Sequence, residues 1–330
     1  MISKRFLFTR HSYSCNNSIK TINFYNKLKD PNLTIWGIQR TLEKSSENPK
    51  LYNSPYVFVS CLIRTWCSAI LLYLPNTDFI TLIISPFIKE KHNTLFQGLD
   101  IGNNPDNIKT QFNKFNNFLK VAHSYCEKQN INIENKNIII YFHKEFYLTF
   151  IIKRDKNNLI VIENNFKNIK NNKPYKYIEF NEDPNSNILT DEKIKEDIIF
   201  YKKNTNINKF IEWIYLLTKP KKDDDPDNIF NNIKLNNIHC VLHSNIMQEY
   251  LKSINTKIYN NSEKNNIFKT NSWSIDIKYL SPMKIIPKTL HIYNGTLPPQ
   301  IKYDSTCEVL CNNNKTKKCK KYKKEIKNNI

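Results

Sequence analysis

Five ionisable residues follow short apolar runs at separate places in the chain, and together they could bind and transfer an anionic group. They are Arg10, His11, Arg64, Glu90 and His243. Guanidinium groups neutralise phosphate oxygens, and one imidazole can attack phosphorus while a second hydrogen-bonds the developing charge. A carboxylic acid can then protonate the leaving oxygen. The set indicates phosphoryl transfer in which the protein supplies the positive charge, so we expect neither a metal nor a cofactor.

A parallel sheet would bring these residues together. Because the carboxyl ends of parallel strands meet at one edge of a sheet, and open α/β sheets bind ligands there, residues that follow such strands converge. Short apolar runs predict the strands, and helical spacing with an N-cap at Thr34 predicts a helix to about Lys44. The predicted strands are Phe6-Leu7-Phe8, Tyr56–Ser60, Thr81–Ile84 and Ile238–Leu242.

One stretch has the length of a membrane span. Tyr56–Pro75 is almost wholly apolar, but Arg64 lies near its centre. A charge at that depth costs about 3 kcal/mol in a lipid-facing helix. We therefore predict a buried strand that runs into an amphipathic helix over Leu62–Leu74, and no membrane association.

The order of the motifs resembles the histidine phosphatase superfamily, on its phosphoglycerate-mutase-like branch. The family opens with Arg-His-Gly-x-Ser-x-x-Asn, and Arg10–Asn17 keeps all of this except the Gly. Five further blocks follow in the family's order. They are Asp30–Gln39 (DPNLTIWGIQ), Ser60–Ala69 (SCLIRTWCSA), Pro86–Glu90 (PFIKE), Cys240–Ser244 (CVLHS) and Asn271–Ser274 (NSWS).

The resemblance implies a fold and a role for each matched residue. The fold would be a three-layer α/β/α sandwich with a mostly parallel central sheet, and the activity metal-independent phosphomonoester hydrolysis. His11 would be the phosphorylated nucleophile and Glu90 the proton donor. The phosphate pocket would hold the remaining matched residues, which are Arg10, Asn17, Arg64, His243 and Ser244.

The chain departs from the family pattern at three positions. Ser12 and Ser244 replace glycines, which at such places permit close backbone approach to a ligand. Tyr13 stands where mutases carry an acidic residue, which favours a phosphatase over a sugar-phosphate mutase. Two alternatives stay open: that mutase, and a catalytically weak member that serves as a binding or structural module for acidic partners.

The motifs also predict how the chain is divided. Residues 1–96 and 202–311 would form two parts of the core, 97–201 a β-rich insertion that caps the site, and 312–330 a basic disordered tail. His143 is a rival for the second pocket histidine because it also follows a predicted strand, Ile138–Phe142. We prefer His243, since a predicted helix precedes its strand and the Asn-x-Ser-like segment follows it.

Composition and charge describe the class of protein and its expected partners. The 330 residues are 40% hydrophobic and carry a formal charge of +20, which indicates a folded protein with anionic partners. We expect a phosphorylated small molecule or phosphoprotein as substrate, and non-specific nucleic-acid contact through the basic surface and tail. The abundance of Asn, Lys and Ile is typical of an AT-rich genome, such as that of a large DNA virus or a unicellular organism. The sequence does not decide the oligomeric state.

The number and spacing of the cysteines indicate the cellular compartment of the protein. Eight are scattered through the chain and no secretory signal opens it, which indicates reduced thiols and an intracellular, cytoplasmic protein (in the host cytoplasm if viral) that is not secreted. Cys307, Cys311 and Cys319 form a loose cluster with no adjacent histidine, so a zinc site there is not favoured.

Overall fold

The computed structural model describes residues 3–15, 31–90, 105–133, 136–142, 150–154, 160–164, 177–179, 206–217, 236–253, 270–281 and 284–293. Within these ranges the strands are β1 (Ser3–Arg10), β2 (Tyr56–Val59), β3 (Phe79–Ile84), β4 (Asn137–Phe142), β5 (Phe150–Arg154), β6 (Ile160–Asn164), β7 (Tyr177–Glu179), β8 (Asn237–Leu242), β9 (Ser272–Ser281) and β10 (Lys284–Tyr293). The α-helices are α1 (Ile35–Glu47), α2 (Ile63–Tyr73), α3 (Pro105–Lys128), α4 (Ile207–Leu217) and α5 (Ser244–Ser253).

The strands form one sheet in the order β10-β9-β1-β8-β2-β3-β4-β5-β6-β7. Its centre, from β1 through β8, β2 and β3 to β4, is parallel. Both flanks are antiparallel, with β9 pairing with β1 on one side and β5 with β4 on the other. The predicted α/β class with a parallel central sheet is confirmed, although the antiparallel flanks make the sheet larger than that centre.

Helices cover both faces of the parallel centre because its strands alternate between two apolar clusters. In β1, Leu7 points into a cluster with α1, α2 and α3, whereas Phe6 and Phe8 point into a cluster with α4 and α5. The same division holds in β8, where Val241 joins the first cluster and Cys240 the second. Strands buried on both faces are typical of parallel sheets between helices. The architecture is the expected three-layer α/β/α sandwich.

Helix α1 begins at the predicted cap. The Thr34 hydroxyl accepts a hydrogen bond from the Gly37 backbone N–H at 2.9 Å, satisfying one of the donors that a helix start leaves open. The helix then buries one stripe, including Ile38 and Leu42, against the sheet. Thr34 also contacts the chain that follows β1: its backbone N–H donates a hydrogen bond to the Tyr13 carbonyl at 3.0 Å. The start of α1 is therefore fastened to the loop after β1.

The apolar stretch 56–75 is a strand followed by a helix, as predicted. Strand β2 and helix α2 are almost wholly buried, and Arg64 lies in the first turn of α2 with 3% of its side chain exposed. Among the helices that the structure describes, none combines the length and apolar character needed to cross a bilayer.

The region 97–201 contributes to the main sheet. Helix α3 packs Phe115 and Leu119 into the cluster beneath α1 and α2, and β4 pairs with β3 in parallel. Strands β5, β6 and β7 continue the sheet outward from β4. The described part of this region thus extends the core, and the division of the chain into domains stays a prediction.

Several predicted features lie outside the described residues. They are Asn17, His143, the cysteines at 307, 311 and 319, and the basic tail 312–330. Of the cysteines that the structure does describe, Cys15 is disulfide-bonded, whereas Cys61, Cys67, Cys126 and Cys240 are buried thiols. Cys15 thus differs from the expected reduced state, the other four cysteines agree with it, and the cellular compartment stays a prediction.

Candidate active site

The ends of β1 and β8 bring the two histidines side by side. Arg10 pairs with Leu242 in the register of these strands, and the His11 backbone N–H donates to the Leu242 carbonyl at 2.9 Å. His11 and His243, each one residue past its strand, therefore sit together with ring centroids 5.0 Å apart and an interplanar angle of 60°. Both are buried, with 4% and 0% of their surface exposed.

The sheet order separates the two strands that precede the candidate histidines. β8, which precedes His243, lies beside β1, whereas β4, which precedes His143, lies four strands away from β1. Four strand spacings amount to about 19 Å. His243 therefore occupies the position beside His11 for which it was preferred.

The tautomer of His11 follows from its hydrogen bond. Nδ1 lies 2.7 Å from the Ser12 carbonyl oxygen, which can only accept, so Nδ1 carries a proton. In the neutral ring Nε2 then holds the lone pair.

His243 is oriented by the residue at the end of β2. Its Nε2 is hydrogen-bonded to Ser60 Oγ at 2.8 Å, and the same hydroxyl accepts from the Leu62 backbone N–H at 3.2 Å. Ser60 is fully buried in the turn between β2 and α2, so it has little freedom to move. The imidazole of His243 is left with Nδ1 directed at Glu90.

Glu90 forms ion pairs with two of the predicted phosphate ligands. Its Oε2 lies 2.7 Å from Arg64 Nη2 and 3.0 Å from His243 Nδ1. Burial by itself would raise the pKa of Glu90, but the neighbouring His243 and Arg64 charges and hydrogen bonds lower this pKa well below its usual value. The carboxylate is therefore ionised in the unliganded protein.

The segment that carries Glu90 packs on the face of the sheet that α4 and α5 cover. Beyond β3 the chain makes a short 3-10 turn, Pro86–Ile88, whose Phe87 and Ile88 are buried in the cluster with α4. The Phe87 carbonyl accepts from the Asn206 backbone N–H at 2.9 Å, directly before α4 begins. This packing directs the chain, and with it Glu90, back towards Arg64.

Arg10 lies at the end of β1, partly exposed, with Arg64 and Glu90 close enough to interact electrostatically. Burial lowers the pKa of its guanidinium, the Glu90 charge acts in the opposite direction, and the nearby Arg64 charge lowers it further. Two arginines and a carboxylate therefore share one small space. Two guanidinium groups can bind an anion strongly when that anion displaces the carboxylate from them.

The Asn271–Ser274 block fixes the end of β1. The Arg10 backbone N–H donates to the Asn271 carbonyl at 2.9 Å, and the Thr270 N–H donates to the Arg10 carbonyl at 3.1 Å. Ser272 Oγ is 2.9 Å from both Thr9 Oγ1 and Tyr52 Oη. Thr270 has a φ of 59°, a strained value for a β-branched residue, so the backbone is held in an unfavourable conformation beside Arg10.

Ser12, which stands in place of a family glycine, turns its side chain away from the histidines. Its Oγ donates to the Gly37 carbonyl at 2.9 Å and accepts from Thr41 Oγ1 at 2.6 Å, both on α1. Its backbone N–H donates to Ser68 Oγ at 2.8 Å on α2, and that hydroxyl donates to the Arg64 carbonyl at 2.7 Å. Ser12 thereby ties the loop after β1 to both helices that flank it. This loop begins with the predicted nucleophile His11 and is named the nucleophile loop.

The predicted site residues meet in one place, as far as the described residues go. Arg10, Arg64, Glu90, His11 and His243 share the carboxyl edge of the parallel centre, while Ser244 is the first residue of α5, directly after His243. The roles assigned to these residues stay predictions. Sequence reasoning missed the positioning hydroxyls of Ser60 and Ser68, although both lie in the Ser60–Ala69 block.

Three of the site residues could also hold a metal ion. His11, Glu90 and His243 each offer one ligand atom, and these atoms lie within 4.8 Å of one another.

Comparisons with known proteins give likenesses of fold. No protein-family model and no curated protein sequence matches the chain. Among solved structures, a mycobacterial hydrolase ("Mycobacterial hydrolase 1") matches at 11% identity over 89% of this chain and 100% of that chain, with a TM-score of 0.40. A mycobacterial glucosyl-3-phosphoglycerate phosphatase matches at 9% identity over 89% and 100%, with a TM-score of 0.38. "Mycobacterial hydrolase 2" matches at 10% identity over 94% and 97%, with a TM-score of 0.37.

All three matches have TM-scores of 0.40 or below and identities of 11% or below. The resemblance to the histidine phosphatase superfamily has its own basis in this chain. The motif blocks follow the order of that family, and the described residues of those blocks converge at one edge of an α/β/α sandwich.

Proposed function

We propose that the protein hydrolyses phosphomonoesters through a phosphohistidine formed on Nε2 of His11. The observation that carries this proposal is the hydrogen bond from His11 Nδ1 to the Ser12 carbonyl, at 2.7 Å. It leaves the lone pair on Nε2, beside a second histidine and two arginines. A buried and oriented imidazole that has its lone pair on Nε2 is what attack on phosphorus requires.

The first half-reaction transfers the phosphoryl group to the enzyme. The Nε2 lone pair of His11 attacks phosphorus, the P–O bond to the leaving group breaks, and its electrons go to the leaving oxygen. Arg10 and Arg64 bind the non-bridging oxygens, and His243, held by Ser60, hydrogen-bonds the charge that develops on them. Glu90 gives its proton to the leaving oxygen, so the products are an alcohol and phosphohistidine.

Glu90 must take up a proton before it can act as this acid. In the unliganded protein its charge is stabilised by Arg64 and His243. A bound phosphate would engage both of these partners and add negative charge beside the carboxylate, which raises its pKa. Substrate binding thus supports protonation of Glu90 by the substrate monoanion or by solvent.

The second half-reaction returns the enzyme to its starting state. Water attacks phosphorus while the Glu90 carboxylate accepts a proton from it, and the P–N bond breaks with its electrons returning to Nε2. Inorganic phosphate and protonated Glu90 result, and Glu90 releases this proton to solvent when phosphate leaves and its pairing with Arg64 and His243 is restored. The substrate is a phosphorylated small molecule or a phosphoprotein.

One observation favours the alternative of a weak or non-catalytic binding module. The Glu90 carboxylate is paired with the ligands that a phosphate would use, so it competes with any incoming anion. In that case catalysis would be weak, and the basic surface and tail of the protein would bind acidic partners without turnover. Tyr13 in place of an acidic residue favours either reading over a mutase.

Turnover of p-nitrophenyl phosphate in the presence of a chelator tests the proposal. His11→Ala should lower kcat/KM by at least about 1000-fold, because it removes the nucleophile. His123→Ala, on the helix α3 and away from the site, is the matched control and should leave kcat/KM unchanged. Rapid acid-free quenching with labelled substrate should trap an acid-labile phosphohistidine in the wild type only. Activity that survives His11→Ala would overturn the proposal, and vanadate binding without turnover would favour the binding module.

A further inference from the structure

We propose that His11, His243 and Glu90 also chelate a borderline transition-metal ion, Zn²⁺ in particular, and that this ion blocks the nucleophile. The three side chains come from three separate strand ends, yet their ligand atoms lie within 4.8 Å of one another. Ligands of a zinc ion at about 2.0–2.2 Å lie closer together than this, so the three groups must move slightly towards one another to complete the set. Glu90 is the most exposed of the three, with 17% of its side chain accessible.

Each histidine is already oriented as a metal ligand would be. The Nδ1–H of His11 donates to the Ser12 carbonyl at 2.7 Å, and Nε2 of His243 is hydrogen-bonded to Ser60 Oγ at 2.8 Å. In metal sites, a ligating imidazole commonly uses its second nitrogen in such a bond, which fixes the ring and its tautomer. The second nitrogen of His243, Nδ1, lies 3.0 Å from Glu90 Oε2, at the place where the ligand atoms of the three residues meet. The hydrogen bonds that orient the two imidazole rings for phosphoryl transfer would therefore also orient them for metal binding.

The donor set selects the kind of ion. Two imidazoles and one carboxylate bind Zn²⁺ and its neighbours Co²⁺, Ni²⁺ and Cu²⁺, whereas Mg²⁺ and Ca²⁺ prefer a shell of oxygens. Inhibition is therefore expected from the former group and not from the latter.

The arginines limit how tightly the ion is held. Arg64 is paired with Glu90 at 2.7 Å, and Arg10 lies close enough to act electrostatically on the same carboxylate. A cation must compete with both guanidinium charges, so its binding is reversible. The inhibitory consequence rests on the proposed function, because an ion on Nε2 of His11 occupies the lone pair that would attack phosphorus.

Titration of the reduced, chelator-treated full chain with Co²⁺ tests the site without any need for turnover. Imidazole and carboxylate ligation gives d–d bands, whereas ligation by cysteine adds a thiolate charge-transfer band that marks unrelated sites. We expect one site free of that band, from which Zn²⁺ displaces Co²⁺. Glu90→Gln and His11→Gln should each weaken it by at least about tenfold. The matched controls are Glu43→Gln on α1 and His123→Gln on α3, which should bind as the wild type does.

The outcomes separate this proposal from the proposed function. Co²⁺ binding that persists unchanged in both Glu90→Gln and His11→Gln, or that shows only thiolate ligation, overturns the metal site whatever the activity. Binding at this site by a protein that turns over no phosphomonoester overturns the proposed function alone. Circular dichroism of each variant establishes that a loss of binding is not a loss of fold, and the two variants test the same site independently.

Discussion

The hydroxyl of Ser12 donates a hydrogen bond to the carbonyl of Gly37 at 2.9 Å, across the interface between the nucleophile loop and helix α1. The side chain that replaces a family glycine is therefore directed into the helix rather than towards the histidines. Thr41 Oγ1 completes the arrangement with a bond to the same hydroxyl at 2.6 Å. Ser12 is accommodated by α1, and we therefore expect that its side chain does not exclude a phosphate from His11.

Ser12→Gly tests this accommodation. We expect kcat/KM for p-nitrophenyl phosphate to stay within a few-fold of wild type, because the hydroxyl makes no contact with His243, Arg64 or Glu90. The free energy of unfolding should fall by about 1–2 kcal/mol, because two buried hydrogen bonds are lost. Denaturant unfolding measures the stability, and Ser124→Ala, an exposed serine on α3, serves as the control. A large rise in activity in Ser12→Gly would mean that Ser12 obstructs the site after all.

Gly37→Ala should disturb the same interface from the other side. A Cβ at this position would lie 2.4 Å from the Tyr13 carbonyl oxygen, a backbone atom that cannot move without shifting the nucleophile loop. The clash outweighs the better helix propensity of alanine, and we expect a loss of about 1–3 kcal/mol in the free energy of unfolding. Activity should fall with it. Ser46→Ala, on the exposed face of α1, should leave both nearly unchanged, and equal stability of the two variants would contradict the close packing.

Ser60→Ala should impair catalysis by releasing His243. The variant loses the 2.8 Å hydrogen bond to Nε2, so the imidazole can turn away from the phosphate position. A misplaced catalytic group costs about 10- to 100-fold, which we expect in kcat with a smaller change in KM. Ser60→Thr should restore most of the rate.

Ser85→Ala is the control for Ser60. Ser85 is a buried serine at the end of the neighbouring strand β3, and its hydroxyl has no hydrogen-bond partner among the described residues. This variant should keep the wild-type rate. If both variants lose activity equally, the effect comes from the packing of the sheet edge and not from the orientation of His243.

The stability conferred by Glu90 should depend on pH. Pairing with His243 and Arg64 lowers the pKa of Glu90 in the folded state below its unfolded value of about 4.3. A group with a depressed pKa stabilises the fold above its unfolded pKa, and this contribution is lost as pH falls towards the folded pKa. The stability difference between wild type and Glu90→Gln should therefore be larger at pH 6 than at pH 3. Denaturant unfolding at both values measures it.

Glu43→Gln is the control for the pH experiment. Glu43 pairs with Arg40 on the exposed surface of α1, where solvent screens the interaction, so this variant should show little change at either pH. A difference for Glu90→Gln that is the same at pH 6 and pH 3 would contradict an ionised, paired carboxylate in the folded protein.

Local patterns in the amino-acid sequence predict the strands, the helix start at Thr34 and the residues at the strand ends. Short apolar runs and capping residues are local signals, so β1, β2, β3, β8 and α1 could be predicted from them. The spacing of Arg10-His11, Arg64 and His243 after such runs already implied a shared edge, since parallel strands align their ends.

The contacts that each of these side chains makes follow from the tertiary packing and not from local pattern. The choice of His243 over His143 depends on β8 lying between β1 and β2, which is a matter of strand order and not of local pattern. The hydroxyl of Ser12 meets Gly37 because α1 packs against the loop, and Glu90 reaches Arg64 because Phe87 is buried near α4. Contacts between residues distant in sequence depend on how whole elements pack, and no run of neighbouring residues encodes them.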